Sequence, residues 1–168
     1  MSPRLRLALA LALTAALAAP AAAQQHTHGM DMDEVKSNAP FRPGLGDLMT
    51  ALVQPRHTKL GLAGMAQNWD YAAYELDELR EAFDDVAATV PKYRDLSVPD
   101  LIAATVKQPL AALDKAIAAK DANRFTAAYG QLTASCNACH QSTDHAVVVI
   151  QPPTEAAFPD QDFRRPAR

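Results

Sequence analysis

Only two cysteines occur in the 168 residues, and both lie in the stretch CNACH, as Cys136 and Cys139, followed by His140. No second cysteine cluster exists, so the stretch offers a structural zinc at most three local ligands where four are wanted. Aromatic residues are few, at 6%, and much of the 49% hydrophobic fraction is alanine. That favours helices packed closely over a large aromatic core. A basic excess is missing too. The net charge of -3 argues against a nucleic-acid binder, which would carry a basic patch. No internal helical repeat and no sustained strand alternation is found. No nucleophile-base pair or phosphate-binding glycine loop stands out, so an enzyme of the ordinary acid-base type finds no support.

What is present begins with an export signal. MSPRLRLALALALTAALAAPAAAQQ has a basic start at Arg4 and Arg6. An apolar run from Leu7 to Ala18 follows, then small residues at Ala21 to Ala23. This reads as a signal peptide over 1–23, cut before Gln24. The run falls short of the ~20 apolar residues that span a bilayer, so no stable membrane insertion is expected, and no cysteine follows the cut to take a lipid. The mature chain is expected in a periplasm. In such an oxidising compartment free thiols do not persist, which leaves a disulfide, a metal site or alkylation for the pair.

Residues 24–44 are polar and hold Pro40 and Pro43, as a flexible leader would. HTHGMDMD within it places His26, His28, Met30 and Met32 together. These are ligand types suited to copper, which would make the chain a periplasmic metal-handling protein, or they are a chance cluster in a polar tail. From Leu45 the spacing turns helical. Met49, Val53, His57, Leu60 and Gly64 share one face, with Pro55 expected to kink the helix or restart it. Asn68 caps a second segment, Trp69 to about Val90, with a seam of Ala72, Leu76, Leu79, Phe83, Val86 and Val90. Glu75, Asp77, Glu78, Glu81, Asp84 and Asp85 are expected on its wet side. Ser97 and Pro99 start a third helix facing inward through Ile102, Val106, Leu110, Leu113 and Ile117, with Pro109 inside it. Asp121 opens a fourth, whose seam runs Phe125, Ala128, Leu132, Cys136, Cys139. The pattern predicts an all-α, up-down-up-down four-helix bundle over 45–145. An extended, Pro-rich tail is expected over 146–168.

A thioredoxin-like use of the cysteines wants a βαβ context, which is missing. A disulfide across two helical residues fits poorly. Cys-x-x-Cys-His is also the attachment pattern of haem c. One helical turn separates the thiols, which add to the haem vinyl groups, and the next residue offers its imidazole to the iron. One covalent haem c is therefore expected on Cys136 and Cys139, with His140 as proximal iron ligand.

A four-helix pattern with this motif near its end resembles the class II c-type cytochromes, the cytochrome c′ group, over roughly Leu45 to Asp144. The resemblance implies the same roles for Cys136, Cys139 and His140. It also implies either an electron carrier or, with five-coordinate iron, a protein that binds NO or CO. Cytochromes c′ are often dimers, so a homodimer is one expectation; the redox partner is unknown. Family members usually follow the motif with an aromatic-Arg pair, where this chain has Gln141-Ser142-Thr143-Asp144. In such a fold the first helix covers the distal haem face. His57 is the first candidate for the sixth ligand and Met49 the second, with an open or Leu60-blocked site as the remaining option. His57 and Met49 lie two turns apart, about 12 Å along the axis, so only one of them can sit over the iron. Arg56 and Lys59 are candidate partners for the haem propionates, and His145 is expected at the surface.

Overall fold

The three-and-four spacing resolves into four helices in the computed structural model, which describes residues 40–155 and 157–165. Helix α1 comprises three consecutive pieces: an α-helical turn Leu45–Leu48, a π-helical stretch Met49–Val53 and an α-helix Gln54–Met65. Helices α2 (Trp69–Thr89), α3 (Val98–Ala118) and α4 (Ala122–Ser142) follow. Among the described residues the chain is all-α apart from two-residue strands β1 (Lys92–Tyr93) and β2 (Leu96–Ser97), paired antiparallel with Lys92 opposite Ser97. The signal peptide expected over 1–23, and the expected leader as far as residue 39, lie outside the described residues. No described helix is long and apolar enough to cross a membrane.

The helix starts follow the side-chain caps. Asn68 accepts from Tyr71 N, Ser97 from Asp100 N and Asp121 from Arg124 N, each satisfying an amide that has no partner within its helix. Pro55 neither breaks nor restarts α1. The wider π turn just before it absorbs the missing donor: Gln54 N bonds Met49 O, five residues back, and the helix continues. Helix ends carry no glycine. Gln67 and Lys120 take the left-handed conformation, at φ 55° and 54°. Each closes the paired bonds of a Schellman motif: Asn68 N to Ala63 O with Gln67 N to Gly64 O, and Asp121 N to Ala116 O with Lys120 N to Ile117 O. Asp144, at φ 64°, ends α4 the same way, with His145 N bonded to His140 O at 2.7 Å.

Each helix packs on the next, and α4 packs back on α1. Leu60, Leu76, Leu79, Leu113 and Leu132 are wholly enclosed. The contact between α1 and α4 is tight and runs in opposite directions. His57 meets Thr133, Gly61 meets Tyr129, and Gly64 meets Phe125. A Cβ on Gly64 would stand 1.9 Å from the Phe125 ring, and one on Gly61 2.5 Å from the Tyr129 hydroxyl. Only glycine permits this approach. The π-helical stretch of α1 packs chiefly on α2.

Several sequence expectations are corrected here. Glu75 is not on the wet side. Its carboxylate is enclosed, 3.5 Å from Arg56 Nη1, while Arg56 also pairs with Glu78 at 2.7 Å. The partner lies on α1, so the spacing within α2 could not reveal it. Lys59 sits over the Phe158 ring at 4.9 Å. His145 is half-buried against Tyr93, with ring centroids 5.6 Å apart. Among its described residues the tail has no regular secondary structure, yet it is anchored at several points. Pro153 reaches Gly61, Phe163 is buried and stacks on Tyr71 at 5.5 Å, and Asn68 Nδ2 donates to Arg164 O. It thus runs from the end of α4 back to the start of α2.

Candidate functional site

The last two turns of α4 carry the motif. At about 100° per residue, Cys139, Cys136 and His140 share an arc of about 100°, and Asn137 lies just beyond His140. The cysteines are unpaired thiols. Both are half-buried, less enclosed than the seam spacing led one to expect. Cys136 packs against the core, and burial, followed by the neighbouring Cys139, pushes its thiol up to about 11. A thiol nucleophile needs the opposite shift, which argues against Cys136 as an attacking thiolate. Cys139 lines an open groove of about 290 Å³ with Ala104, Thr105, Ser135, Ala138 and Ser142.

His140 is oriented by the tail. Its Nδ1 lies 2.8 Å from Val148 O. A carbonyl can only accept, so Nδ1 carries a proton, and in the neutral ring Nε2 then keeps its lone pair. Nε2 has no hydrogen-bond partner among the described residues. This is the arrangement of a metal-binding histidine, whose far N–H rests on a carbonyl. Asn137 reaches the same segment: Nδ2 donates to Ile150 O at 2.9 Å and Oδ1 accepts from Ile150 N at 2.7 Å. Sequence reasoning missed Asn137, Val148 and Ile150. The motif leaves its two middle positions free, and the β-branched run after His145 read only as extended chain.

His57 is a core histidine here. Nε2 lies 3.1 Å from Thr133 Oγ1 and Nδ1 lies 3.0 Å from the Tyr129 hydroxyl. Each hydroxyl also has a backbone carbonyl to donate to, Thr133 to Tyr129 O and Tyr129 to His57 O. Both ring nitrogens are therefore matched in either tautomer. Burial lowers its pKa to about 4, so the ring is neutral. Its partners lie seven and eleven residues before His140. Extrapolating the antiparallel pairing of 57 with 133, 61 with 129 and 64 with 125 toward the start of α1 would put Met49, rather than His57, at about the height of residue 140 along the bundle, although the stretch that it opens packs chiefly on α2. Met49 is partly buried against the core and opens the π-helical stretch, a feature that recurs at functional sites.

The residues fit a covalently held haem: two unpaired thiols one turn apart and a histidine on the same side whose Nε2 has no partner among the described residues. No three His, Cys, Asp or Glu side chains among the described residues form a metal cluster, but a haem iron asks a protein for only one or two ligands. The copper-type residues His26, His28, Met30 and Met32 lie outside the described residues. Compared with known protein families, with curated proteins and with solved structures, the chain finds no match.

Proposed function

We propose that this chain is an exported, periplasmic monohaem c-type cytochrome, a single-electron carrier built as an up-down-up-down four-helix bundle of the class II kind. The observation that carries the reading is His140, with Nδ1 donating to Val148 O at 2.8 Å and Nε2 left free beside two unpaired thiols. When bound, the haem supplies one-electron cycling between ferric and ferrous iron. Cys136 and Cys139 would hold it, each S–H adding across one vinyl C=C. His140 would ligate through Nε2. The Val148 carbonyl fixes the ring and strengthens it as a ligand.

Of the two sixth-ligand candidates, the register along α1 favours Met49. His57 would have to give up two buried hydrogen bonds, whereas the Met49 thioether has none to lose. A methionine there raises the potential relative to a second histidine and closes the iron to added ligands. A five-coordinate iron open to NO or CO is the second reading. The engagement of His57 favours it, because α1 then has one ligand fewer to offer.

The test is expression in a host that matures c-type cytochromes. Haem stain should survive on a denaturing gel and vanish in Cys136→Ala/Cys139→Ala; stain persisting in that variant, or missing in the wild type, overturns the haem reading. The reduced spectrum should not change with CO, and Met49→Leu should make it CO-sensitive while His57→Gln does not. Wild-type protein that already binds CO would instead select the gas-binding reading.

A further inference from the structure

Attachment of a haem at Cys-x-x-Cys-His needs only the spacing, so the residues between the cysteines are chemically free. Here one of them is engaged. Asn137 presents its primary amide to the Ile150 peptide as a two-bond fork, at 2.9 and 2.7 Å. No aliphatic side chain can make that fork. An aspartate would keep the acceptor for Ile150 N but set a carboxylate oxygen against Ile150 O. Two residues earlier in the tail, Val148 O receives the His140 proton. Asn137 and His140 are three apart on α4, so they share a face and hold the two ends of one short tail segment.

Hydrophobic burial does not hold that segment. Val147 is 93% exposed, Val149 64% and Val148 46%. Its upstream end is fixed by the α4 terminus: His145 N to His140 O, Val148 N to His145 O, the Arg94–Asp144 ion pair and the Tyr93–His145 contact. Its downstream end is fixed beside the motif by the Asn137 fork. We infer that Asn137 is a positioning residue for the proximal histidine. By clamping Ile150 it holds the Val148 carbonyl on His140 Nδ1, and so sets the donor strength of the ring toward iron. The inference rests on the haem reading above for its effect on iron, but the clamp itself belongs to the polypeptide.

A carbonyl on Nδ1 makes imidazole a stronger donor and favours ferric over ferrous iron. Freed from it, the haem-loaded Asn137→Leu protein should shift its ferric-to-ferrous balance about tenfold toward ferrous. That is about 59 mV upward for a one-electron couple. Ile150→Pro, which deletes the N–H donated to Asn137, should shift it the same way. In the haem-free chain, Asn137→Leu should lose hydrogen-exchange protection at the Ile150 amide and the slow-exchanging His140 Nδ1 proton, with the urea midpoint showing that the helices remain folded. A wild-type chain without covalent haem would fail the haem reading alone and leave the exchange test standing. With haem attached, an unchanged potential in Asn137→Leu overturns the positioning role. Unchanged exchange at Ile150 and His140 overturns the clamp.

Discussion

Gly64→Ala is the sharpest test of how α1 meets α4. In a helix interior the exchange normally stabilises by about 1 kcal/mol. Here the new methyl would lie 1.9, 2.1 and 2.5 Å from three carbons of the Phe125 ring. Ordinary carbon contacts lie at about 3.5–4.0 Å, so ring or helix must retreat by about 1.5 Å. The ring has nowhere to go. Phe125 is 1% exposed, stacked on Tyr129 at 5.8 Å and edge-on to Trp69 at 6.0 Å. Overpacking of this kind costs about 1–3 kcal/mol. A clash this deep belongs at the upper end, which leaves a net loss of about 2 kcal/mol. Urea unfolding should show it as a midpoint lower by about 1 M at a typical slope of about 2 kcal/mol per M. Gly130→Ala on α4 is the control, since its Cβ meets nothing within 4 Å; it should stabilise by the propensity gain alone. Phe125→Leu combined with Gly64→Ala should be less damaging than the two single losses added together. Gly64→Ala as stable as Gly130→Ala would refute the close approach, and with it the register that brings Met49 level with His140.

His57, lowered from 6.5 to about 4 by burial, should make stability fall as pH drops, because the unfolded chain takes up a proton that the folded one refuses. The loss begins near pH 6.5 and is complete below about 4; it amounts to about 2 kcal/mol between pH 7 and 5. Urea titrations should show that slope in the wild type and lack it in His57→Gln. Lys120→Gly and Gln67→Gly should each stabilise by about 1 kcal/mol, because both residues occupy left-handed positions at exposed helix ends; thermal melts check this, and a loss of stability would contradict the assigned backbone. Glu75 has neither carboxylate oxygen hydrogen-bonded, and burial raises its pKa despite Arg56. The charged form is therefore the costly one, and Glu75→Gln should leave stability at pH 7 unchanged or increase it by about 1 kcal/mol, whereas Arg56→Ala should cost about 3 kcal/mol. That cost should shrink as Glu75 protonates at acid pH, and an Arg56→Ala loss independent of pH would contradict the buried pairing.

The helices were legible because their signals are local. Asn68, Ser97 and Asp121 mark their starts, and the buried faces follow spacings of three and four. Their ends were harder to read. Gln67, Lys120 and Asp144 stand where glycine is the usual mark, so the backbone bonds that stop the chain leave no trace in composition. The β1–β2 turn, Tyr93-Arg94-Asp95-Leu96, likewise lacks the glycine or asparagine that flags a hairpin; Arg94 takes φ 52° instead. Glu75 belongs by spacing to an acidic face and is buried only because Arg56 approaches from another helix. Phe158 and Phe163 are isolated aromatics in a Pro-rich stretch with no period, so the course of the tail was not readable. Cys136, Cys139 and His140 stood out as a candidate site because Cys-x-x-Cys-His is a pattern of spacing along one helix.

The choice between His57 and Met49 shows why the other half of the site was not. Both lie on the inward face of α1, and a histidine on an apolar face is the more conspicuous residue. Which of them stands level with His140 depends on how far α1 has slid along α4. That register is set by Gly61 against Tyr129 and Gly64 against Phe125, contacts between residues more than sixty positions apart. The same contacts bring the Tyr129 and Thr133 hydroxyls onto the ring of His57, turning the conspicuous candidate into a satisfied polar core residue. The motif end of α4 is held differently. Instead of two glycines and an aromatic stack, it relies on an amide fork and a single imidazole hydrogen bond to a segment whose valines face solvent. Loss of one polar group there forfeits little buried apolar area. On the proposed haem reading, the consequences of such a change should therefore appear in the behaviour of the haem well before they appear in the stability of the fold.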